Sequence, residues 1–291
     1  MKRYEKWTLC GVLALTLMIT LACAAFSVQG AAAQSSEANI SYRKNLAIYT
    51  GTVGVDIGNA GNGYVRILYD KPFTANIKVI VWKDDAYYTY TISQSITSLP
   101  LQMGDGKYRI ALYENIEGGI YRTISDTTVS VEGLRDEVVY TNSIQMADYE
   151  GYADVIAGIS ALAADAENDR ETAEITYNYI ISNFSYSMDK AASVQGSIGY
   201  VPDLREFADA KAGICYDFAS TFAAVLRSNG IPVKLVMGYR DGVDKYHAWN
   251  EVLLDGEWVT VDTSTDAQLK QAGRAVEMIS DSSMFTVKKV Y

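Results

Sequence analysis

The chain has 291 residues, 35 acidic against 25 basic side chains, a formal net charge of −10 and a pI of about 4.7. That balance excludes a nucleic-acid binder, since phosphates reward a basic surface, and speaks against charge-driven docking on anionic wall polymers. Acidity otherwise reports solubility and little more.

Lys2, Arg3 and Lys6 give a basic start, no charge occurs from Trp7 to Ser36, and small residues gather at Gly30-Ala31-Ala32-Ala33. This reads as a secretory signal peptide cut after Ala33, which leaves 258 residues (291 − 33). Two alternatives are an uncleaved anchor formed by the apolar run from Trp7 to Phe26 and lipidation at Cys23 after Thr20-Leu21-Ala22. Each version puts the remainder outside the cytoplasmic membrane, with a membrane contact only through an uncleaved or lipidated N-terminus. Cys10 and Cys23 both fall in the signal, so Cys215 is the single thiol expected after processing. It has no partner for an internal disulfide.

Residues 38–133 read as a β-sandwich. Branched and aromatic runs recur at Tyr64 to Tyr69, Ile77 to Trp82, Tyr87 to Ile92, Tyr108 to Tyr113, Ile120 to Ile124 and Thr127 to Val131. Turn clusters such as Lys83-Asp84-Asp85 and Gly104-Asp105-Gly106 separate them. The tyrosines of Tyr87-Tyr88-Thr89-Tyr90 fit ordinary strand propensity with half-buried rings better than a ligand surface. Residues 134–149 read as a linker, and residues 150–291 as a second, α+β domain.

Helical patterning covers Tyr152 to Ala164. Asn168 and Glu171 make a capping pair for a helix to about Asn183, with Ile175, Tyr179 and Ile180 as its expected buried stripe. Residues 184–201 read as an irregular connection. A further helix opens at Gly213-Ile214-Cys215-Tyr216-Asp217, carries Phe218, Phe222, Val225 and Leu226 at helical spacing, and stops at Asn229-Gly230-Ile231-Pro232. Cys215 thus sits in a first turn, where free N–H groups and the helix dipole favour a thiolate. The same N–H groups could donate to a developing oxyanion. Gly213 is expected to permit a sharp turn that leaves the sulfur open.

Three strands follow, at Val233 to Gly238, Tyr246 to Leu254 and Glu257 to Asp262, with Asp255-Gly256 as a two-residue hairpin turn. That turn pairs Leu254 with Glu257. Asp262 then stands opposite Trp249, with His247 as its diagonal neighbour on the same face. His247 is the only histidine in the chain, 32 positions after Cys215 (247 − 215) and 15 before Asp262 (262 − 247). A thiol, an imidazole and a carboxylate supply a nucleophile, its base and the group that orients the base. A zinc site lacks ligands, and a serine triad lacks the G-x-S-x-G partner. No cofactor or metal is expected.

These residues carry a resemblance. Gly213 to Ala219, Leu226 to Val233, Gly238-Tyr239, His247-Ala248-Trp249-Asn250-Glu251-Val252 and Trp258 to Ser264 resemble, in order and spacing, the transglutaminase-like superfamily over roughly 150–266. The resemblance implies a papain-like core with Cys215 as nucleophile, His247 as base and Asp262 as its orienting partner. It also implies supporting positions at Tyr186, Tyr216 and Trp249, with Tyr186 closing the site or donating to an oxyanion. The front domain is similar to immunoglobulin or fibronectin type III modules by analogy alone. The expected chemistry is acyl transfer from a protein or peptide amide through a thioester, to an amine or to water. The alternatives are a noncatalytic surface module and an internal structural thioester between Cys215 and a glutamine.

Overall fold

The computed structural model describes residues 47–73, 75–197 and 199–291, and the expected signal with Cys10, Cys23 and Ala33 lies outside them. Eight strands come first: β1 (Ala47–Thr50), β2 (Val53–Asp56), β3 (Tyr64–Tyr69), β4 (Ile77–Lys83), β5 (Ala86–Ile92), β6 (Ile96–Pro100), β7 (Gly106–Glu117) and β8 (Ile120–Val131). They form two four-stranded antiparallel sheets, ordered β1-β2-β3-β6 and β5-β4-β7-β8. Period-two alternation explains the packing: Ile77, Val79 and Val81 of β4 are fully buried while Lys78 and Ile80 between them are not. They join Val55, Val65, Ile67 and Leu99 of the other sheet in one apolar core.

Two sequence expectations change here. The runs at 120–124 and 127–131 are one continuous strand, because Ser125 and Asp126 pair with Leu112 and Ala111 and carry the ladder on past a register shift at Leu112/Tyr113. The short strands β1, β2 and β6 are not among the expected runs, since four or five residues give little periodicity.

The connection is packed rather than loose. A short helix α1 (Asp136–Val139) and a bridge between Ile144 and Ala147 organise it, and Val139, Tyr140, Ile144, Met146 and Ala147 are buried. The buried Arg227 fastens it: its guanidinium donates to the carbonyl oxygens of Asn142, Val233 and Tyr291. Burial pulls this guanidinium down to about 10.

The second domain holds α2 (Ala153–Ser160), α3 (Asp169–Asn183), β9 (Ser185–Tyr186), α4 (Met188–Val194), α5 (Leu204–Ala210), β10 (Ala212–Gly213), α6 (Cys215–Ser228), β11 (Val233–Arg240), β12 (Val243–Leu254), β13 (Glu257–Val261), α7 (Thr263–Gln271) and β14 (Phe285–Val290). The antiparallel sheet runs β13-β12-β11-β14. Against it packs α6, whose Phe218, Phe222, Val225 and Leu226 are all fully buried. Among the described residues no helix is long and apolar enough to cross a membrane.

The chain departs from expectation in three places. The buried stripe of α3 is Ala173, Tyr177, Ile180 and Ile181, while Ile175 and Tyr179 are only partly covered. Tyr177 is drawn inward by a 2.9 Å hydrogen bond from its hydroxyl to Asp266, which rotates the face. The stretch 184–201 contains β9 and α4 rather than irregular chain alone, and the Ser187 side chain caps α4 by accepting from the Lys190 N–H. Helix α5, capped by Asp203, was not anticipated.

The tyrosine run of β5 lies against the second domain. Tyr88 meets Tyr291 edge to face at 5.2 Å, Lys289 donates to the Tyr87 carbonyl at 2.6 Å, and Gln102 reaches the Val290 carbonyl at 3.2 Å. Tyr90 is buried, Tyr88 half-buried and Tyr87 exposed, so its rings serve chiefly as domain contact.

Candidate active site

The hairpin that sets the site has the expected register. Leu254 pairs with Glu257, Val252 with Val259 and Asn250 with Val261. Asp255 and Gly256 both take positive φ, 54° and 84°, the two-residue turn geometry that asparagine, aspartate and glycine tolerate. The ladder ends at Val261, one residue earlier than expected, because Asp262 leaves the strand to cap α7.

That carboxylate does two jobs. Its Oδ1 accepts from the Thr265 N–H and the Ser264 hydroxyl, both at 3.1 Å, and so closes the first turn of α7. Its Oδ2 accepts from His247 Nε2 at 2.8 Å, Arg240 at 2.5 Å and the Thr265 hydroxyl at 2.8 Å. Asp262 is fully buried. Burial raises its affinity for a proton, but the hydrogen bond and charge of His247 and the charge of Arg240 prevail, and its pKa falls to about 2.

With Nε2 engaged by Asp262, Nδ1 is the ring nitrogen left for the thiol. Burial favours neutral His247, yet the hydrogen bonds and charges of Asp262 and Cys215 outweigh it and push the imidazole up to about 10. The structure therefore puts His247 and Asp262 in direct contact, and the charge of Cys215 acts on the same ring. Cys215 is half-buried and is a free thiol.

Cys215 is the first residue of α6. The first intrahelical acceptance from outside the ladder is Phe218 N–H to the Ile214 carbonyl, so the Cys215 and Tyr216 N–H groups precede it and stay available to an anion. The Ile214 N–H goes instead to Asp217, fully buried, at 2.8 Å. Asp217 also accepts from the Tyr200 hydroxyl at 2.5 Å and lies 3.2 Å from Lys190 Nζ. This network ties α4 and the following loop to the start of the cysteine helix.

Gly213 has a different reason from the one expected. Its φ is not positive, but a Cβ there would stand 2.5 Å from the Phe207 ring and 2.6 Å from Asp217 Oδ2. Close packing, not a strained turn, demands glycine.

The three supporting positions separate. Tyr186 pairs with Gly213 across β9 and β10, and burial, the charge of Cys215 and that of Asp217 all raise its pKa. Trp249 is fully buried, stacked on the imidazole at 6.4 Å and tilted against the Phe285 ring at 4.9 Å, so it backs the base and does not face substrate. Tyr216 meets the Tyr200 ring edge to face, 6.0 Å away.

Sequence reasoning gave no role to Arg240, Asp217, Lys190 or Tyr200. Asp217 had a readable signal, an acid at the third helical position. Arg240 had none, because a register shift in β11 between Gly238 and Arg240 delivers it to Asp262.

A free thiol at a helix start and a carboxylate-bound imidazole on an antiparallel sheet are the parts of a cysteine-centred α+β site. Residues 159–263, a segment that contains all three residues, match the family model described as the transglutaminase-like superfamily. Among solved structures, one described as a TGase is 23% identical over 40% of this chain and 32% of its own, with a TM-score of 0.34. A candidate cysteine protease from Cytophaga hutchinsonii is 15% identical over 78% of this chain and 80% of its own, with a TM-score of 0.40. Red sea bream transglutaminase is 13% identical over 79% of this chain and 51% of its own, with a TM-score of 0.29. The chain thus spans about a third of the first of these structures and about half of the last. No curated protein matches the chain.

Proposed function

We propose that the protein is a thiol-dependent acyl transferase or hydrolase acting on protein or peptide amides. The observation that supports this reading is the 2.8 Å contact of His247 with the buried Asp262, on an imidazole whose pKa the charges of Asp262 and Cys215 both raise. Sulfur as thiolate attacks the amide carbonyl, and the C–S bond forms as the carbonyl electrons move onto oxygen. The Cys215 and Tyr216 N–H groups and the Tyr186 phenol are the donors that would stabilise that oxyanion. Collapse breaks the C–N bond, and His247 gives its proton to the departing nitrogen, which leaves as ammonia or an amine. An amine or water, deprotonated by His247, then attacks the thioester and returns the sulfur as thiolate. Asp262 fixes the ring and stabilises its charged form.

The basic and apolar N-terminal stretch supports an extracytoplasmic setting, where a lone free cysteine would be a liability unless used.

The test is incubation with an amine-tagged probe and candidate protein substrates, beside a Cys215→Ala variant. Tag incorporation means transfer, cleaved fragments mean proteolysis, and a gain of about one mass unit per glutamine means deamidation. Labelling by an amide-mimicking electrophile that persists in Cys215→Ala removes Cys215 as the nucleophile.

A further inference from the structure

Arg240, Asp262, His247, Trp249 and Phe285 form a closed circuit of contacts around the base. Arg240 Nη1 donates to Asp262 Oδ2 at 2.5 Å, and the same oxygen accepts from His247 Nε2 at 2.8 Å. The imidazole is stacked on Trp249 at 6.4 Å, and Trp249 is tilted against Phe285 at 4.9 Å. The Arg240 guanidinium, 5.2 Å over the Phe285 ring, closes the circuit, and the two residues are strand partners across β11 and β14. Little slack remains: a Cβ at Gly238, which pairs with His247, would stand 2.9 Å from the Trp249 ring.

The Arg240 side chain is only 10% exposed, and among the described residues Asp262 is its one ion-pair partner. Its Nε finds no acceptor among them. A buried ion pair is a poor source of stability, since desolvation cancels most of its attraction. Its position on the oxygen that also holds the base suits a different task. Two cations on one oxygen oppose each other, so Arg240 anchors the carboxylate and weakens its pull on the imidazolium proton. A proton held less tightly passes more readily to the departing nitrogen, and the ring returns sooner as a base.

We infer that Arg240 is a positioning residue: it anchors Asp262 Oδ2, closes the circuit that fixes the His247 ring plane, and offsets the carboxylate's hold on the imidazolium proton. This rests on the thiol acyl-transfer reading and adds a fixed cation to its acid–base pair. Cys215 on α6, Asp266 on α7 and Tyr177 on α3, whose hydroxyl donates to Asp266 at 2.9 Å, are the other titratable groups acting on the pair.

The experiment exploits His247 being the only histidine in the chain. Untagged full-length protein carrying isotope-labelled histidine gives one imidazole to follow by NMR. The titration is run in a Cys215→Ala background, which removes the thiolate that holds the ring protonated and lowers the midpoint. Thermal melting verifies that each variant is folded. Arg240→Met should raise the midpoint by about one pH unit, the effect of losing a neighbouring like charge. It should also weaken the Nε2–H resonance through exchange with water. Arg240→Lys should restore most of the midpoint. Phe285→Leu, which opens the circuit and leaves the charges alone, should keep the midpoint and weaken the Nε2–H resonance. An unmoved or lowered midpoint in Arg240→Met overturns the inference, as does an undiminished Nε2–H resonance in both Arg240→Met and Phe285→Leu. Iodoacetamide labelling of the Cys215 protein separates this from the acyl-transfer reading. Rapid labelling with an unmoved midpoint removes Arg240 and leaves the thiol standing. If Cys215 is not labelled, the acyl-transfer reading fails and the part of Arg240 in the reaction falls with it.

Discussion

The Arg240 guanidinium and the His247 ring donate to the same oxygen of Asp262, at 2.5 and 2.8 Å. One fully buried carboxylate thus holds two cationic partners, one of them titratable. Arg240 also lies over the Phe285 ring at 5.2 Å.

Arg240→Met keeps the length of the side chain and removes its charge. Asp262 loses a group that lowers its pKa, so its folded-state value should climb from about 2. Melting temperature measured against pH should then fall off at higher pH on the acid side than in the native protein. An unmoved acid limb would mean that Arg240 only fills space.

The pH window of stability follows from the same groups. Folding raises His247 from 6.5 to about 10, so its contribution is fully present below about 6.5 and is lost as pH rises through about 10. Folding lowers Asp262 from 3.8 to about 2, so its contribution is present above about 3.8 and is lost as pH falls through about 2. Chemical denaturation across pH should place the maximum between these limits. His247→Gln should flatten the alkaline side; an equally steep decline in that variant counts against the assignment.

Gly213→Ala should destabilise the fold by about 1–3 kcal/mol, the usual cost of overpacking. The added methyl strikes the Phe207 ring and the Asp217 carboxylate together. Asp217→Asn should cost about 1–3 kcal/mol as well, because a buried acceptor of two hydrogen bonds is weakened. Urea titrations measure both, and a Gly213→Ala midpoint equal to that of the native protein contradicts the packing account.

Tyr186→Phe separates donation from packing. If the phenol stabilises the oxyanion, kcat should fall by about 10²-fold with KM little changed. A variant with full kcat would reduce Tyr186 to a wall of the site.

His247→Ala should lower kcat by about 10²–10⁴-fold, the span of general acid–base catalysis. Asp262→Asn should be comparable in activity and worse in stability, since Arg240 would keep its charge without a carboxylate. Single-turnover acylation kinetics with folded protein distinguish the two effects.

Much of the second domain was legible in the sequence because its signals are local. The cap and stop of α6, the buried face of that helix and the two-residue turn at Asp255-Gly256 each follow from short-range stereochemistry. The acid–base pairing of Asp262 with His247 followed from the register that this turn imposes. What stayed hidden depends on distant partners. The inward face of α3 is set by a bond from Tyr177 to Asp266, 89 positions away, which no periodicity announces. Arg240 arrives through a strand irregularity, and Lys190 and Tyr200 reach Asp217 from a stretch that reads as featureless. In the sandwich the longer strands were visible, whereas β1, β2 and β6 are defined by pairing more than by composition.

The hairpin between β12 and β13 turns at Asp255 and Gly256, both open to solvent and remote from any reacting atom. Strand pairing nevertheless converts loop length into the spacing of acid and base: one inserted residue would slide the whole outgoing strand and swap its two faces. Tolerance to insertion, common in surface loops, should therefore vanish here, and a catalytic lesion could be written into a bend that never meets substrate.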